Sequence, residues 1–374
     1  MEKKIVIVVF IVFSFFIFGY TIGAEQIPFS KSVTSFYTTN LSDNSNLYEE
    51  IDPLLEKTNI ESIIHLQNND DITKKRLELI YFIWKTNSLP ENMPTKVIQN
   101  FNDSRFSDMK NLDKIDKIVV NMEYNIDSLA YLFHPVEKNN KLLIYHQGHA
   151  GGFIHGKNTI SYYLERGYTI IAFSMPLHGL NSTPTLDIEN FGVIKFDSHN
   201  KFRYLETKNF SPMKFFFHPI LASMNYIEKN HDFDTYDMIG LSGGAWTITL
   251  YSALDDRIER IFPVGGPLPL YIKENSNYDH IHYEVSNLAL YKIANYLDFF
   301  ILSSYGETKE HHKILNKFDS CCNYGLSYLT FENDVQNTMK KLGQGKFQIY
   351  LDETHRGHKI SEHALEIINN EIIR

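Results

Sequence analysis

Residues Tyr236 to Asp256 read YDMIGLSGGAWTITLYSALDD. The first part, YDMIGL, is a short apolar run of strand length, and GGAWTITLYSALDD carries a helical pattern. Between them Ser242 stands among Gly240, Gly243 and Gly244. A strand that turns directly into a helix needs a sharp bend. Glycines two before and two after the serine allow that bend and let the helix pack close to the strand. The bend lifts the serine oxygen to the carboxyl edge of the sheet. The helix N-terminus then aims its free N–H groups at any negative charge that develops there. The competing reading is a tight turn in which the serine is incidental. A five-residue G-x-S-x-G match decides little by itself, so the rest of the chain has to arbitrate.

On both sides of this stretch the grammar is the same from about Lys114 onward. DKIVVNMEYN and DSLAYLFHPVE read as two strands joined by a turn near Asn125 and Asp127. KLLIYHQGHAGGF is a buried strand ending in a glycine-rich loop, and NTISYYLERG a helix closed by Gly167. YTIIAFSMPLHG is another strand and loop. MKFFFHPILASMNYIEKNH is a helix, with a kink or break expected near Pro219. IERIFPVGG follows the Ser242 helix as a strand. HHKILNKFD and KFQIYLD are the last two strands, and SEHALEIINNEIIR a final amphipathic helix. Strands that alternate with helices and are apolar throughout predict an α/β fold, with a mostly parallel eight-stranded sheet and helices on both faces. The stretch from Pro267 to about Gly306 is too long for an ordinary loop and reads as a lid insertion, about 267–306.

Ahead of this domain, 114–374, lies a helical N-terminal preface, 25–113. Its polar start, about Glu25 to Ser45, gives way to a helix with Leu77, Ile80, Tyr81 and Trp84 at helical spacing, stopped by Pro90 and Pro94. The first residues, 1–24, hold Lys3 and Lys4, the apolar run Ile5 to Phe18, and small residues at Gly23 and Ala24. That is the pattern of a signal peptide, with an uncleaved N-terminal anchor as the alternative over residues 5–23. Either way the expectation is a secreted or periplasmic protein, or one held at a membrane by this segment alone. The 374 residues are 43% hydrophobic and 14% aromatic, which excludes disorder as a class. A net charge of −9 gives no footprint for nucleic acid. The sequons at Asn40, Asn102, Asn181 and Asn209 matter only in a eukaryotic secretory pathway.

A serine hydroxyl is a poor nucleophile at neutral pH and needs a base and an orienting acid. Asp319 follows a strand directly in LNKFDSCC, and DETHRGHKIS places two histidines after the last strand. His358 is the choice for the base, because Gly357 gives the loop freedom and Ser361 is a plausible helix N-cap. His355 is its rival. Glu307, Asp298 and Asp352 are the acids that compete with Asp319, which could itself be a solvated turn aspartate. The oxyanion of an acyl-transfer reaction needs backbone donors. Gly243 supplies one, and Gly148 or His149 in YHQGHAGGF the other. Gly151 and Gly152 let that loop approach a substrate. His146 with His149, and His280 with His282 in DHIHYE, are the histidine pairs a metal could use. The first pair has no carboxylate at matching spacing; the second has two acids, Asp279 and Glu284, and both histidines share a face if extended, but it reads more simply as a polar lid surface, so no metal and no cofactor is expected. The two cysteines, Cys321 and Cys322, are adjacent, which argues against a structural disulfide.

These motifs, in this order, resemble those of the α/β-hydrolase superfamily. YHQGHAGG, MPLHGLNS, GLSGG, KFDSCC and GHKIS carry the resemblance, over roughly Lys114 to Arg374. Within it the chain looks most like the dienelactone hydrolase, acetyl xylan esterase and prolyl-oligopeptidase-like branch. The resemblance implies Ser242 as nucleophile, Asp319 as orienting acid, His358 as general base and acid, and no cofactor. Pro176-Leu177-His178-Gly179 departs from the acidic or Arg-Gly-type loop of many relatives, so their substrates do not transfer. The expected function is an exported serine hydrolase of carboxylic esters, on a small-molecule or carbohydrate ester. A prolyl-oligopeptidase-like peptidase is the alternative, although 25–113 is too short for that branch's propeller. A binding protein of the same fold without activity is the third.

Overall fold

The computed structural model describes residues 46–274 and 282–373. The leader, the polar start to Ser45 and Asp279 with His280 lie outside the described residues. Asn46–Glu49 form one helical turn of an N-terminal unit. Residues 50–373 make up the second unit.

The central sheet has nine strands rather than eight. The additional strand, β1 (Lys96–Ile98), comes from within the preface and pairs antiparallel with β2 (Leu112–Val120). β2 pairs antiparallel with β3 (Ser128–Pro135) through a turn in which Tyr124 and Asn125 both take positive φ. Then come β4 (Leu142–His146) and β5 (Thr169–Phe173), a separate hairpin of β6 (Thr185–Ile188) and β7 (Gly192–Lys195), β8 (Tyr236–Leu241), β9 (Arg260–Val264), β10 (Glu310–Asn316) and β11 (Lys346–Asp352). The order across the sheet is β1-β2-β3-β5-β4-β8-β9-β10-β11, parallel from β5 to β11. From β4 the chain steps outward to β5, then returns past β4 to β8. Open α/β sheets place their ligand crevice at such a reversal, outside the carboxyl ends of the strands. Here those ends are His146, leading into the glycine-rich loop, and Leu241, leading into Ser242.

Helices cover both faces, and a separate apolar cluster is buried on each. α1 (Asn69–Trp84) is capped by the Asn68 side chain, which accepts from the amides of Asp70 and Asp71. Its buried face is Ile72, Leu79, Ile80, Ile83 and Trp84, while Leu77 and Tyr81 are exposed. Of the four residues named from their spacing, Ile80 and Trp84 are buried and Leu77 and Tyr81 are not; Arg76, on the buried side, donates to the carbonyls of Ala253, Leu302 and Tyr305. Helices α2 (Lys157–Leu164), α3 (Lys214–Asn230), α4 (Gly243–Leu254), α5 (Tyr296–Ser304), α6 (Glu332–Leu342) and α7 (Glu362–Ile372) complete the layers. α3 runs unbroken through Pro219. A proline inside a helix costs about 3 kcal/mol, and the buried run from Phe215 to Met224 offsets it by anchoring both sides to the core. α5, from the stretch read as an insertion, is buried at every position and packs on α4. No helix among the described residues is long and apolar enough to cross a membrane.

Candidate active site

Ser242 has φ 58° and ψ −118°, a left-handed conformation that a residue with a side chain adopts only under constraint. The constraint is visible on both sides. Its amide donates to Val264 O of β9, and its carbonyl receives the amide of Trp246 in α4. The glycines are required by close approach. A Cβ at Gly240 would lie 2.5 Å from Gly244 O, and one at Gly244 would run into the His146 and Gln147 carbonyls. α4 therefore starts directly on the sheet edge, with the Gly243 amide among its free N-terminal N–H groups.

The loop after β4 lies on this bend. A Cβ at Gly148 would stand 2.6 Å from Leu241 O, 2.8 Å from Ser242 Cβ and 3.2 Å from Gly243 N. A Cβ at Gly243 would meet the His149 ring. The predicted donors Gly148, His149 and Gly243 thus share one corner with Ser242. His146 is not part of it. Its ring stacks on Phe173, bonds the Gln147 carbonyl and is fully buried, and that burial pushes its pKa down to about 4.

His358 Nδ1 and Asp319 Oδ2 are 2.7 Å apart. Asp319 is buried, and its other oxygen accepts from the amides of Cys321 and Cys322 at 2.8 and 3.2 Å. It is not a solvated turn residue. His358 Nε2 is buried with no hydrogen-bond partner. The pair flanks Gly265, where a Cβ would lie 3.2 Å from His358 Cε1 and 3.6 Å from Asp319 Oδ2. Gly265 directly follows Val264, the residue bonded to the Ser242 amide. The rivals are engaged elsewhere. Asp298 accepts from the His65 amide and ring and caps α5 through Asn295. Glu307 is exposed. Asp352 binds Thr354 and Ser361, with His355 Nε2 at 3.2 Å but outside hydrogen-bonding alignment. Cys321 and Cys322 are joined as a disulfide, against the expectation from their spacing. The turn that aims both amides at Asp319 also brings both side chains together.

A cavity of about 70 Å³ opens on Ser242. Gly243, Trp246 and Asn323 line it, and His282, Glu284 and Val285 close it from the insertion. His199 was missed by sequence reasoning, since it lies in no recognisable motif, and Glu284 was seen only as one of the two acids of DHIHYE, not as a partner of His149. Glu284 Oε1 contacts His149 Nε2 at 2.7 Å and His199 Nδ1 at 3.0 Å. Burial disfavours the charged form of both Glu284 and His199. Their attraction overcomes it, with His149 adding to the effect, so Glu284 stays well below the usual carboxylate range and His199 rises above the ordinary imidazole value.

No protein-family model matches the chain, and no curated protein matches it. Solved structures do. An acetyl xylan esterase from Paenibacillus sp. is 14% identical with a TM-score of 0.56, over 85% of this chain and 98% of that one. Acetyl xylan esterase 1 from Thermoanaerobacterium sp. is 14% identical with a TM-score of 0.55, over 86% of this chain and 98% of that one. At that identity the likeness is one of fold, and it agrees with the sheet order and the strand–turn–helix at Ser242: the chain has the α/β-hydrolase fold.

Proposed function

We propose that this protein is an exported serine hydrolase of carboxylic esters, with Ser242, His358 and Asp319 as its triad. The observation that carries the reading is Ser242 on its constrained bend, next along the sheet edge to Gly265, which the His358–Asp319 pair flanks, with Asp319 buried and His358 Nε2 unpartnered. With Nδ1–H donating to Asp319, Nε2 holds the lone pair that takes the serine proton. Ser242 Oγ then attacks the ester carbonyl. The oxyanion is met by the Gly243 amide and by that of Gly148 or His149. His358 returns its proton to the leaving alcohol, and an acyl-enzyme remains. Water, deprotonated by the same histidine, releases the acid.

The small cavity supports a short acyl group, since pockets for drug-sized ligands run to about 300–1,000 Å³. The two neighbours are acetyl xylan esterases, which supports an acetyl ester of a carbohydrate as the substrate class. The test is intact mass after exposure to a fluorophosphonate probe, with p-nitrophenyl acetate turnover measured alongside. A single adduct and turnover, both lost in Ser242→Ala, are expected. Turnover that survives Ser242→Ala refutes the reading.

A further inference from the structure

Four side chains from three separate segments converge beside the cavity that opens on Ser242. His149 comes from the loop after β4, His199 from the short helix His199–Tyr204, and His282 and Glu284 from the insertion. One donor atom from each lies within 4.8 Å of every other. The His149 and His282 rings stack with centroids 4.1 Å apart, and His149 and His199 are 5.2 Å apart.

Two features of this cluster ask for a cation. The first is His199, which is 1% exposed. Its Nε2 lies 2.8 Å from Pro176 O, and its Nδ1 lies 3.0 Å from Glu284 Oε1. Both are acceptor oxygens. A neutral ring has only one N–H, so one lone pair would face an oxygen unless a second proton or a metal ion intervenes. With Nε2–H donating to the Pro176 carbonyl, the Nδ1 lone pair points at the cluster. This is how metal-bound histidines are commonly oriented by their outer partner. The second feature is Glu284 Oε2, which is buried and has no hydrogen-bond partner in a residue that is 0% exposed. A fully buried carboxylate with an empty oxygen is costly, and a bound cation removes that cost.

We propose that His149 Nε2, His199 Nδ1, Glu284 and a ring nitrogen of His282 form a site for one divalent transition-metal ion of the zinc class. Three imidazoles and one carboxylate are a nitrogen–oxygen set that suits zinc in tetrahedral coordination, with the His282 ring turning out of its stack on His149 to bring its nitrogen to the ion. The ion fastens the segment Tyr283–Ser286 of the insertion to the loop that carries Gly148 and His149. It therefore fixes one wall of the cavity above Ser242. Among the described residues the other histidine–acid clusters are neutralised or closed internally: Lys346 bridges Glu310 and Glu371 beside His312, and the sulfurs beside Asp319 and His358 are joined to each other.

The inference does not depend on what Ser242 does, and its test separates the two. The full chain, without a polyhistidine tag, is dialysed against zinc and then against metal-free buffer, and metal is counted by plasma mass spectrometry. About one zinc per chain is expected in the parent and in Ser242→Ala, and a loss of at least fivefold in His199→Gln and His282→Ala. His312→Gln should keep the full content. Cobalt(II) loaded in place of zinc should give the intense visible absorption of a tetrahedral site, a readout that needs no variant. Less than a tenth of an ion per chain, or equal uptake by His199→Gln, His282→Ala and the parent, overturns the proposal. The cluster would then be an imidazolium–carboxylate pair in which a proton occupies the place assigned to the metal.

Discussion

Gly148→Ala tests whether the loop after β4 supplies an oxyanion donor. The added methyl would sit 2.6 Å from Leu241 O, 2.8 Å from Ser242 Cβ and 3.2 Å from Gly243 N. Ordinary carbon contacts are about 3.5–4.0 Å, so the loop and the bend must separate by about 0.7–1 Å. None of the three atoms can swing aside. Leu241 is held in the β8–β9 ladder, Ser242 by Val264 O, and Gly243 in the first turn of α4. The loop is the part that yields, and with it the amides of Gly148 and His149. A displacement of that size costs about 10²-fold in rate, and complete loss of one oxyanion donor about 10²–10³-fold, or roughly 3–4 kcal/mol. The expected result is a kcat on p-nitrophenyl acetate lowered about 10²-fold, with KM changed far less, because the donor acts on the transition state. The matched control is Gly357→Ala beside His358, where a Cβ meets only the Lys359 side chain at 3.7 Å. It should keep kcat within about threefold, since the added methyl makes only ordinary van der Waals contact and the backbone there is not in the left-handed region. If Gly148→Ala retains kcat within threefold while circular dichroism shows it folded, the loop donates nothing to the reaction and the assignment of Gly148 and His149 is wrong.

Three further outcomes follow from the same geometry. Asp319→Asn should lower kcat by about 10⁴-fold by favouring the wrong His358 tautomer, whereas Asp352→Asn should lower it less than tenfold; steady-state rates for the two variants choose between the acids. Leu79→Ala should destabilise by about 2–5 kcal/mol in urea unfolding and Leu77→Ala by less than about 0.5, because Leu79 is 0% exposed and Leu77 47% exposed; equal effects would mean that α1 docks on the other face. Stability should also fall as pH drops below about 6.5. Burial holds both His146 and His218 down to about 4 in the folded state, against an ordinary value of 6.5. The unfolded chain therefore binds more protons between those values, which favours unfolding as pH falls through that window, by about 2 kcal/mol per histidine between pH 7 and pH 5. His218→Gln should flatten the dependence in urea titrations at the two pH values. An unchanged slope would show that His218 is not kept neutral, although its Nδ1 accepts from Trp84 Nε1 at 3.3 Å.

The division between what could and could not be read from the sequence follows the range of the forces involved. β4, β5, β8 and β9 are buried on both faces, so burial writes itself into consecutive apolar residues that a local window detects. The bend at Ser242 is equally local: Gly240 and Gly244 touch each other, and both requirements fall within five residues. Asp319 and His358 stand at strand ends, where the parallel sheet collects its loops, so their positions were also visible. β1 was not, because three residues on an edge strand take their order from β2 rather than from any pattern of their own. The hairpin β6–β7 is mostly exposed and leaves little hydrophobic period to detect. The buried face of α1 was misjudged at Leu77 and Tyr81 because they are as apolar as their neighbours; the carbonyl partners of Arg76, on the buried side, lie more than 170 positions away. His199 and Glu284 illustrate the limit most clearly. Each looks like an ordinary polar residue, and the contacts that join Glu284 to His199 and to His149 span 85 and 135 positions of the chain. Their burial becomes tolerable only when the fold brings them to the same point as His149. A spacing rule cannot detect that convergence, whereas orphaned lone pairs can, once every buried acceptor is followed to its donor.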